Sequence, residues 1–293
     1  MYSLGIDEAG RGPVFGPLVM AGVALTPNQE RDLKKLGVTD SKLLSPPARE
    51  RLYKEITRHP HEIIIVHPAE IDHAVQSTTT NLNWLEADTA VAIIKKLTKR
   101  LPITTVIVDS PTKNTNAFKK YLQTKLGNQD FTLLCENKAD QRFTCVAAAS
   151  ILAKVTRDKK IRELTAKTGI NLGSGYLTDP ATQKTLQEQY NNPKLASIIR
   201  ASWAPVKELR KPRQTTLAPT GPAGRSKKPD EKTFATLTRH GFSFENTKTP
   251  YETVRMKGPG VTLIKYTTGT LLLQGSKAAK EATRELLKKL NIR

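Results

Sequence analysis

Four acidic residues beside strand-like segments are the positions of this sequence best suited to chemistry. Asp7 and Glu8 follow the strand-like run Tyr2 to Ile6 and precede a glycine turn. Asp109 follows a short β-branched run, and Asp140 precedes a helix of small residues. Carboxylate oxygens are the protein ligands that Mg²⁺ prefers. Several carboxylates that meet at one point would bind two metal ions beside a scissile phosphate.

Asp7 and Glu8, taken alone, are equally consistent with an ordinary strand-to-turn transition with solvated acids. Side chains alternate along a strand, so one of two adjacent carboxylates would face inward and would need a positive partner. A bound cation supplies that partner. Acids from different strands can converge at strand ends. Each acid alone is weak evidence for a metal site, but together they support one.

Strand-like and helix-like segments alternate along the first two thirds of the chain, which predicts an α/β fold. The predicted strands are Tyr2 to Ile6, Leu18 to Leu25, Glu62 to His67, Ile103 to Val108 and Phe131 to Cys135. The predicted helices are Pro46 to Thr57, Asn81 to Lys99, Asn116 to Lys125 and Ala147 to Leu164. Small residues in the last helix would let it pack closely against a sheet.

The pattern changes near residue 208. Residues 209–230 contain four prolines, two glycines and six basic residues, which is typical of a linker. Residues 231–293 are predicted to form a small α+β domain of two helices and a hairpin, with these segments: Glu231 to His240, Val261 to Tyr266, Thr270 to Gln274 and Ser276 to Leu290. Its last helix would bury Ala279, Ala282, Leu286 and Leu290 along one side.

The formal net charge of +20 favours a polyanionic partner, although a basic surface can also be simply solvated. Residues 209–293 hold 18 of the 47 Lys and Arg residues and are the more densely basic part. No run of eighteen apolar residues occurs, so we expect a soluble, cytoplasmic protein with no membrane association. Cys135 and Cys145 are too few for a disulfide framework or a zinc site.

Two other classes can be weighed on the residues alone. A P-loop phosphotransferase is excluded, because Gly10-Arg11-Gly12-Pro13 lacks the Gly-Lys-Ser/Thr that would follow and has proline where amides should bind phosphate. A non-catalytic nucleic-acid-binding protein would explain the charge but would not need the four acids. The five histidines have no metal-like spacing and receive no role.

A series of motifs resembles ribonuclease HII, most closely its archaeal and eukaryotic branch. The first is Gly5-Ile6-Asp7-Glu8-Ala9-Gly10-Arg11-Gly12-Pro13. The others follow in the family's order up to about Trp203: Thr39-Asp40-Ser41-Lys42-Leu43-Leu44, Asn81-Leu82-Asn83, Val108-Asp109-Ser110, Lys138-Ala139-Asp140, residues 148–158 and Gly173-Ser174-Gly175-Tyr176. A transposase or resolvase of the same fold remains an alternative, but the Gly-Arg-Gly and Gly-Ser-Gly-Tyr elements have no evident purpose there.

The resemblance implies a ribonuclease H fold, a mixed five-stranded sheet flanked by helices, in a catalytic domain of residues 1–208. It implies that Asp7, Glu8, Asp109 and Asp140 bind two Mg²⁺ or Mn²⁺ ions. The expected reaction cuts the RNA strand of RNA/DNA hybrids and cuts 5′ of ribonucleotides embedded in duplex DNA, leaving 3′-hydroxyl and 5′-phosphate ends. Such an enzyme would remove primers and misincorporated ribonucleotides.

Further residues are expected to contact the substrate. The resemblance assigns the ribose 2′-hydroxyl to the backbone of Gly10, Arg11 and Gly12 and the next sugar to Tyr176. A glycine turn allows close backbone approach, and the 2′-hydroxyl distinguishes RNA from DNA. Lys42 is expected near the phosphates. Substrate contact and a helix-surface or salt-bridge role are both open for two cations of the small-residue helix: Lys154 and Arg157.

Residues from about 231 to 293 lie outside the ribonuclease HII pattern and resemble the TATA-binding-protein-like substrate-binding domain of ribonuclease HIII. In that family the domain precedes the catalytic one, whereas here it follows. Arg255, Lys257 and Lys265 would contact the minor groove of the hybrid. A protein-docking module is the alternative for this domain, and an enzyme of the HIII type that does not cut at single ribonucleotides is the alternative for the whole chain. The sequence identifies no protein partner.

Overall fold

A computed structural model describes residues 1–210, 234–247, 252–266, 270–290 and 292. The chain divides into two compact units, residues 1–213 and 214–293. Most of the predicted linker lies outside the described residues. Leu209 and Arg210 are described and belong to a helix, Ala204–Arg210, so the prediction that the linker begins at residue 209 is wrong.

A five-stranded mixed sheet forms the centre of the first unit. Its strands are β1 (Tyr2–Ala9), β2 (Leu18–Leu25), β3 (His61–Val66), β4 (Ile103–Asp109) and β5 (Thr132–Glu136). The order across the sheet is β3-β2-β1-β4-β5. β1 pairs antiparallel with β2 and parallel with β4, and β4 is also parallel to β5. The carboxyl ends of β1, β4 and β5 therefore meet at one edge.

Helices cover both faces of this sheet. The helices of the first unit are α1 (Pro27–Lys35), α2 (Pro46–Ile56), α3 (Pro68–Gln76), α4 (Leu82–Thr98), α5 (Thr115–Leu126), α6 (Thr144–Thr168), α7 (Pro180–Gln189) and α8 (Ala204–Arg210). Apolar residues of α1, α2 and α6 pack on one face, and those of α4 and α5 pack on the other. The sequence did not predict α1, α3, α7 or α8.

The approach of α6 to β1 explains the small residues at the start of this helix. A Cβ placed on Gly5 would lie 2.2 Å from the carbonyl carbon of Cys145. The helix backbone therefore rests directly on the strand, and Ala147, Ala148 and Ala149 are buried beside it. This contact leaves no space for a side chain at position 5.

The second unit has a four-stranded antiparallel sheet in the order β6-β7-β8-β9. The strands are β6 (Ser243–Phe244), β7 (Glu252–Gly258), β8 (Val261–Tyr266) and β9 (Leu271–Gly275), and a helix, α9 (Lys277–Lys289), follows them. The predicted hairpin is confirmed as β8 and β9, and its turn at Thr268-Gly269 lies outside the described residues. The strand β7 was not predicted.

Two details of this unit correct the sequence analysis. The predicted helix Glu231 to His240 is a 3-10 helix over Ala235–His240, and residues 231–233 lie outside the described part. In α9 the buried positions are Thr283 and Leu287, whereas Ala282 is exposed. The other three predicted positions, Ala279, Leu286 and Leu290, are half-buried and pack against the core of this unit, so the prediction is wrong for Ala282 alone.

Within the described residues, no helix combines the length and apolar character needed to cross a membrane.

Candidate active site

Three carboxylates come together at the edge where β1 and β4 end. One oxygen each from Asp7, Glu8 and Asp109 lies within 4.8 Å of the others. Parallel pairing sets Ile6 opposite Val108, so the acids that follow are neighbours. Asp7 and Glu8 are still inside β1, paired with β2, and not beyond the end of the strand as predicted. The acids are therefore held by sheet hydrogen bonds.

Alternation along β1 sends the two adjacent carboxylates towards different helices. Asp7 is on the α6 side, where the hydroxyl of Ser150 donates to it. Glu8 is on the α4 side, close enough to Glu86 for the charge of Glu86 to raise its pKa. Only Asp7 is fully buried; Glu8 and Asp109 are partly exposed at the edge.

Burial and mutual repulsion disfavour the charged forms of these acids. Burial, followed by repulsion from Glu8 and Asp109, raises the pKa of Asp7 well above its ordinary value. Burial, with repulsion from Glu86 and Asp109, raises the pKa of Glu8 to about 8. Burial raises the pKa of Asp109 to about 6. Lys42 and Arg11 lower the pKa of Asp109 and of Glu8 respectively, but less than burial raises them. A donor set of oxygens only, with its charge left under-compensated, fits a hard divalent cation such as Mg²⁺ or Mn²⁺.

Asp140 lies beside this cluster, in a short 3-10 turn between β5 and α6. The turn begins after Lys138, whose left-handed backbone (φ 58°) redirects the chain. The amide of Ala139 then donates to Asp109 Oδ1 at 2.7 Å. Asp140 is buried, and Lys42 Nζ lies 3.9 Å from its Oδ2. The fourth predicted acid is therefore adjacent to the three-carboxylate cluster.

Lys42 lies in a short 3-10 helix, Ser41–Leu43, that several hydrogen bonds hold in place. Asp40 Oδ1 accepts from the amide of Lys42 at 2.9 Å, and the hydroxyls of Ser41 and Ser150 lie 2.9 Å apart. Arg49 donates to the carbonyl of Ser41. Burial by itself would lower the pKa of Lys42, but the nearby acids, first among them Asp140, raise it. Its side chain is 81% exposed, so the ammonium can reach a ligand in solution.

The side chain of Arg11 is engaged by α4. Its guanidinium forms an ion pair with Glu86 and donates to Asn83 Oδ1 at 2.7 Å. Glu86 is 1% exposed, and burial raises its pKa to about 7 against the opposing effect of Arg11. Glu86 was not among the predicted site residues, although it lies three residues after the Asn81-Leu82-Asn83 motif. Asp40 was likewise quoted within a motif but given no role.

Arg157 lies beneath Tyr176 and is not an exposed contact. Its guanidinium carbon is 4.9 Å from the centroid of the tyrosine ring, and its side chain is 1% exposed. The carbonyl of Gly175 accepts from the amide of Val14 at 2.8 Å, which links the tyrosine turn to the segment after Gly12. The buried side chain of Arg157 fits neither direct substrate contact nor a helix-surface role. Its Nη1 lies 3.5 Å from Asp158 Oδ1, which agrees with the salt bridge that was the other alternative.

Lys154 forms an ion pair with Asp158 one turn further along α6, with Nζ 2.7 Å from Oδ1. Its side chain is 31% exposed. The structure therefore shows the salt bridge that the sequence analysis weighed against substrate contact.

In the second unit, the three predicted cations differ in their surroundings. Arg255 is buried and lies 3.3 Å from both Glu252 and Glu245, so the prediction that it contacts nucleic acid is wrong. Lys257 is exposed. Lys265 is half-buried, with Nζ 5.4 Å from the centroid of the Phe234 ring.

Comparisons with known proteins agree on the first unit. A family model described as ribonuclease HII matches residues 4–206. The ribonuclease HII of Methanococcus maripaludis strain C6 is 39% identical over 210 residues, covering 71% of this chain and 87% of the relative. The ribonuclease HII of Pyrococcus abyssi is 37% identical over 212 residues, covering 71% and 91%.

Solved structures give the same result. The ribonuclease H2 of Pyrococcus horikoshii OT3 matches with a TM-score of 0.62 and 36% identity, covering 71% of this chain and 97% of that one. The ribonuclease HII in a complex with PCNA from Archaeoglobus fulgidus matches with a TM-score of 0.63 and 37% identity, covering 72% and 98%. A ribonuclease HIII, Bst-RNase HIII with Mn²⁺, matches at 24% identity with a TM-score of 0.60, which shows a shared fold.

The predicted ribonuclease H fold of the first unit is confirmed by these matches. The family match ends at residue 206, and the likeness of the second unit to a TATA-binding-protein-like domain stays a prediction. The match covers more than half of the chain and includes all four acids. The chain therefore belongs to the ribonuclease HII family, and it is a ribonuclease H enzyme.

Proposed function

We propose that this enzyme cuts the RNA strand of RNA/DNA hybrids and also cuts duplex DNA on the 5′ side of embedded ribonucleotides. The observation that carries the second activity is the packing of the Gly10-Arg11-Gly12 turn and the Tyr176 turn around one buried side chain. A Cβ on Gly10 would lie 3.2 Å from Arg157 Cγ, and one on Gly175 would lie 2.7 Å from Arg157 Nη2. Such packing would present the two turns to one sugar-phosphate step.

The chemistry is proposed for the carboxylate cluster. Asp7, Glu8 and Asp109, with Asp140 beside them, would hold two divalent ions. When bound, Mg²⁺ or Mn²⁺ would supply an activated water and would stabilise the leaving oxygen. In-line hydrolysis would leave a 3′-hydroxyl and a 5′-phosphate.

The chain's own groups would position the substrate. Lys42, exposed beside Asp140, would bind a phosphate oxygen at the edge of the site. The Tyr176 ring, supported from below by Arg157, offers its other side to a sugar. The backbone of the glycine turn would approach the 2′-hydroxyl, which DNA lacks. Each of these groups binds or orients, and none has to move a proton.

We also propose that the second unit binds nucleic acid and increases affinity for long hybrids. Support comes from the basic composition after residue 208 and from the exposed Lys257 on β7. Binding of this kind depends on phosphate neutralisation and weakens with salt.

The deciding experiment compares cleavage of two labelled duplexes, one with a single ribonucleotide and one with a complete RNA strand, in Mg²⁺ and then in Mn²⁺. We expect cutting of both, with the single site cut on its 5′ side. The Asp109→Asn protein is the control and should cut neither. Cutting of the long hybrid alone would favour the HIII-like alternative, and failure on both would overturn the proposal.

A further inference from the structure

Arg200 is a buried cation that the sequence analysis did not single out and that has no carboxylate partner among the described residues. Its side chain is 0% exposed, and its guanidinium lies 5.0 Å from the centroid of the Trp203 ring. Burial, with repulsion from Arg157, lowers the pKa of Arg200 to about 10. Burying a charge without an ion pair is costly, so the hydrogen bonds that it makes must compensate.

Those hydrogen bonds go to the backbone around the glycine turn. Arg200 donates to the carbonyl of Gly10 at 2.5 Å, to that of Arg11 at 2.7 Å and to that of Gly16 at 3.1 and 3.0 Å. Trp203 adds a bond from its indole Nε1 to the carbonyl of Gly12 at 3.1 Å. All three carbonyls of the Gly10-Arg11-Gly12 turn are thus engaged from one side.

The segment that carries Arg200 and Trp203 is itself anchored. Asp72 on α3 accepts from the amides of Ala201 and Ser202 at 2.7 and 2.9 Å, and the Ser202 hydroxyl donates to it at 2.5 Å. The backbone next to Arg200 is therefore held against α3.

Engaged carbonyls determine where the amides of the turn point. In a trans peptide, the N–H points away from the carbonyl of the same peptide plane. The amide of Arg11 shares a plane with the Gly10 carbonyl, and the amide of Gly12 shares one with the Arg11 carbonyl. Both N–H groups therefore point away from Arg200, and neither has a protein acceptor in the described part of the chain.

The space beside Gly12 is open. A Cβ placed on this residue would meet no atom within 4 Å. Unpaired amides next to open space are suited to an acceptor oxygen of a ligand.

We infer that Arg200 and Trp203 are positioning residues that fix the peptide planes of the glycine turn, so that the amides of Arg11 and Gly12 donate to the ribose 2′-oxygen. This inference rests on the proposed reading of embedded ribonucleotides. It adds the prediction that discrimination between RNA and DNA depends on two side chains that do not touch the substrate.

The test measures binding in an Asp109→Asn background, where cleavage does not interfere. For each variant, affinity is compared for two labelled duplexes, one with a single ribonucleotide and one of DNA only. Arg200→Lys keeps the charge but cannot reach three carbonyls, and we expect the ribonucleotide preference to fall about tenfold, the equivalent of a hydrogen bond. Affinity for the DNA duplex should stay within about twofold. Trp203→Phe keeps an aromatic ring but loses the indole N–H donor, and the ribonucleotide preference should fall about threefold.

Phe118→Leu is the matched control, because it destabilises the buried side of α5 without touching the turn. A Mn²⁺-induced rise in melting temperature, measured for each variant in the protein that keeps Asp109, should persist, which shows that the acids remain in place. An unchanged preference in Arg200→Lys and Trp203→Phe would overturn the inference, and so would an equal loss in Phe118→Leu. If Arg200→Lys does not fold, Trp203→Phe decides. If the Asp109→Asn protein without further changes shows no preference for the duplex with a ribonucleotide, the proposed function itself is contradicted.

Discussion

The carboxyl groups of Asp7, Glu8 and Asp109 lie close together, and this arrangement lowers the free energy of unfolding by an amount that depends on pH. In the metal-free protein, burial raises the pKa of Glu8 from 4.5 to about 8 and that of Asp109 from 3.8 to about 6. At a pH between the ordinary and the raised pKa of each group, the folded state binds more protons than the unfolded state. Stability therefore decreases as pH rises from about 4 to about 8 and levels off above that range.

We expect Asp7→Asn to raise the melting temperature of the metal-free protein at pH 8 and to flatten its dependence on pH, because one of the repelling charges is removed. The same change should reduce cleavage by at least about 100-fold, since a proposed metal ligand is lost. Thermal denaturation in EDTA from pH 5 to pH 9 measures the first effect. Asp32→Asn, an exposed acid on α1, is the control and should change neither quantity. An unchanged pH slope in Asp7→Asn would contradict the electrostatic account.

Variants of Tyr176 test whether its ring or its hydroxyl makes the proposed contact with the sugar. The ring stacks on the guanidinium of Arg157, and this contact does not use the hydroxyl. We expect Tyr176→Phe to cut at a single ribonucleotide within about threefold of the wild-type rate, and Tyr176→Ala to lose at least about tenfold. Single-turnover cleavage of the duplex with one ribonucleotide is the measurement. Equal losses in the two variants would assign the role to the hydroxyl instead.

Among the secondary-structure elements, the close packing of α6 on β1 determines where Asp7 lies. Asp7 follows Gly5 by two residues on the same side of β1, so the distance between helix and strand decides where Asp7 meets Ser150. A strand residue with a side chain at position 5 would push this helix away.

We expect Gly5→Ala to lower the free energy of unfolding by about 3 kcal/mol, because the new Cβ would overlap with backbone that cannot move independently. Gly22→Ala is the matched control on β2. Its Cβ would meet the side chains of Ile93 and Leu4, which can adjust, so the loss should be smaller. Urea denaturation of both proteins measures the difference. A loss in Gly22→Ala equal to or greater than that in Gly5→Ala would contradict this account.

The sequence predicted those elements whose hydrophobic pattern is strong, such as β2, α4 and β4. It missed α1, α3 and α7, which begin with proline and whose polar composition resembles that of loops. Among site residues, the four acids were predictable from motifs. Glu86 and Arg200 were not, because their roles depend on partners 75 and 190 positions away in the chain. The pairing of Arg255 with Glu252 and Glu245 is local, three and ten positions away, and it escaped prediction because the strand β7 that carries Arg255 was not predicted.

At the scale of the whole molecule, the chain combines a family catalytic unit with a second unit that the family match does not include. The solved ribonuclease H2 of Pyrococcus horikoshii OT3 is covered over 97% of its length by the matching part of this chain. A catalytic unit without such an addition is therefore sufficient to form the fold, and the second unit has to be explained by binding or by partners.

We expect a protein truncated after Arg210 to bind long RNA/DNA hybrids more weakly than the full chain, while turnover at saturating substrate stays within about twofold. Removal of phosphate contacts such as that proposed for Lys257 should also make the salt dependence of binding less steep, by about one to two in the slope of log K against log salt. Affinity measured between 50 and 200 mM salt, about the range over which such contacts weaken, gives both quantities.

Lys257→Gln in the full chain removes one positive charge and keeps the rest of the second unit, so it measures the contribution of that charge to binding. A partial loss in this variant, with a slope less steep by about one, would place the contact on β7. Equal affinities and equal slopes for the truncated and full proteins would exclude substrate binding as the role of the second unit. The protein-docking alternative would then account for it, because a docking module would leave hybrid binding unchanged at every salt concentration.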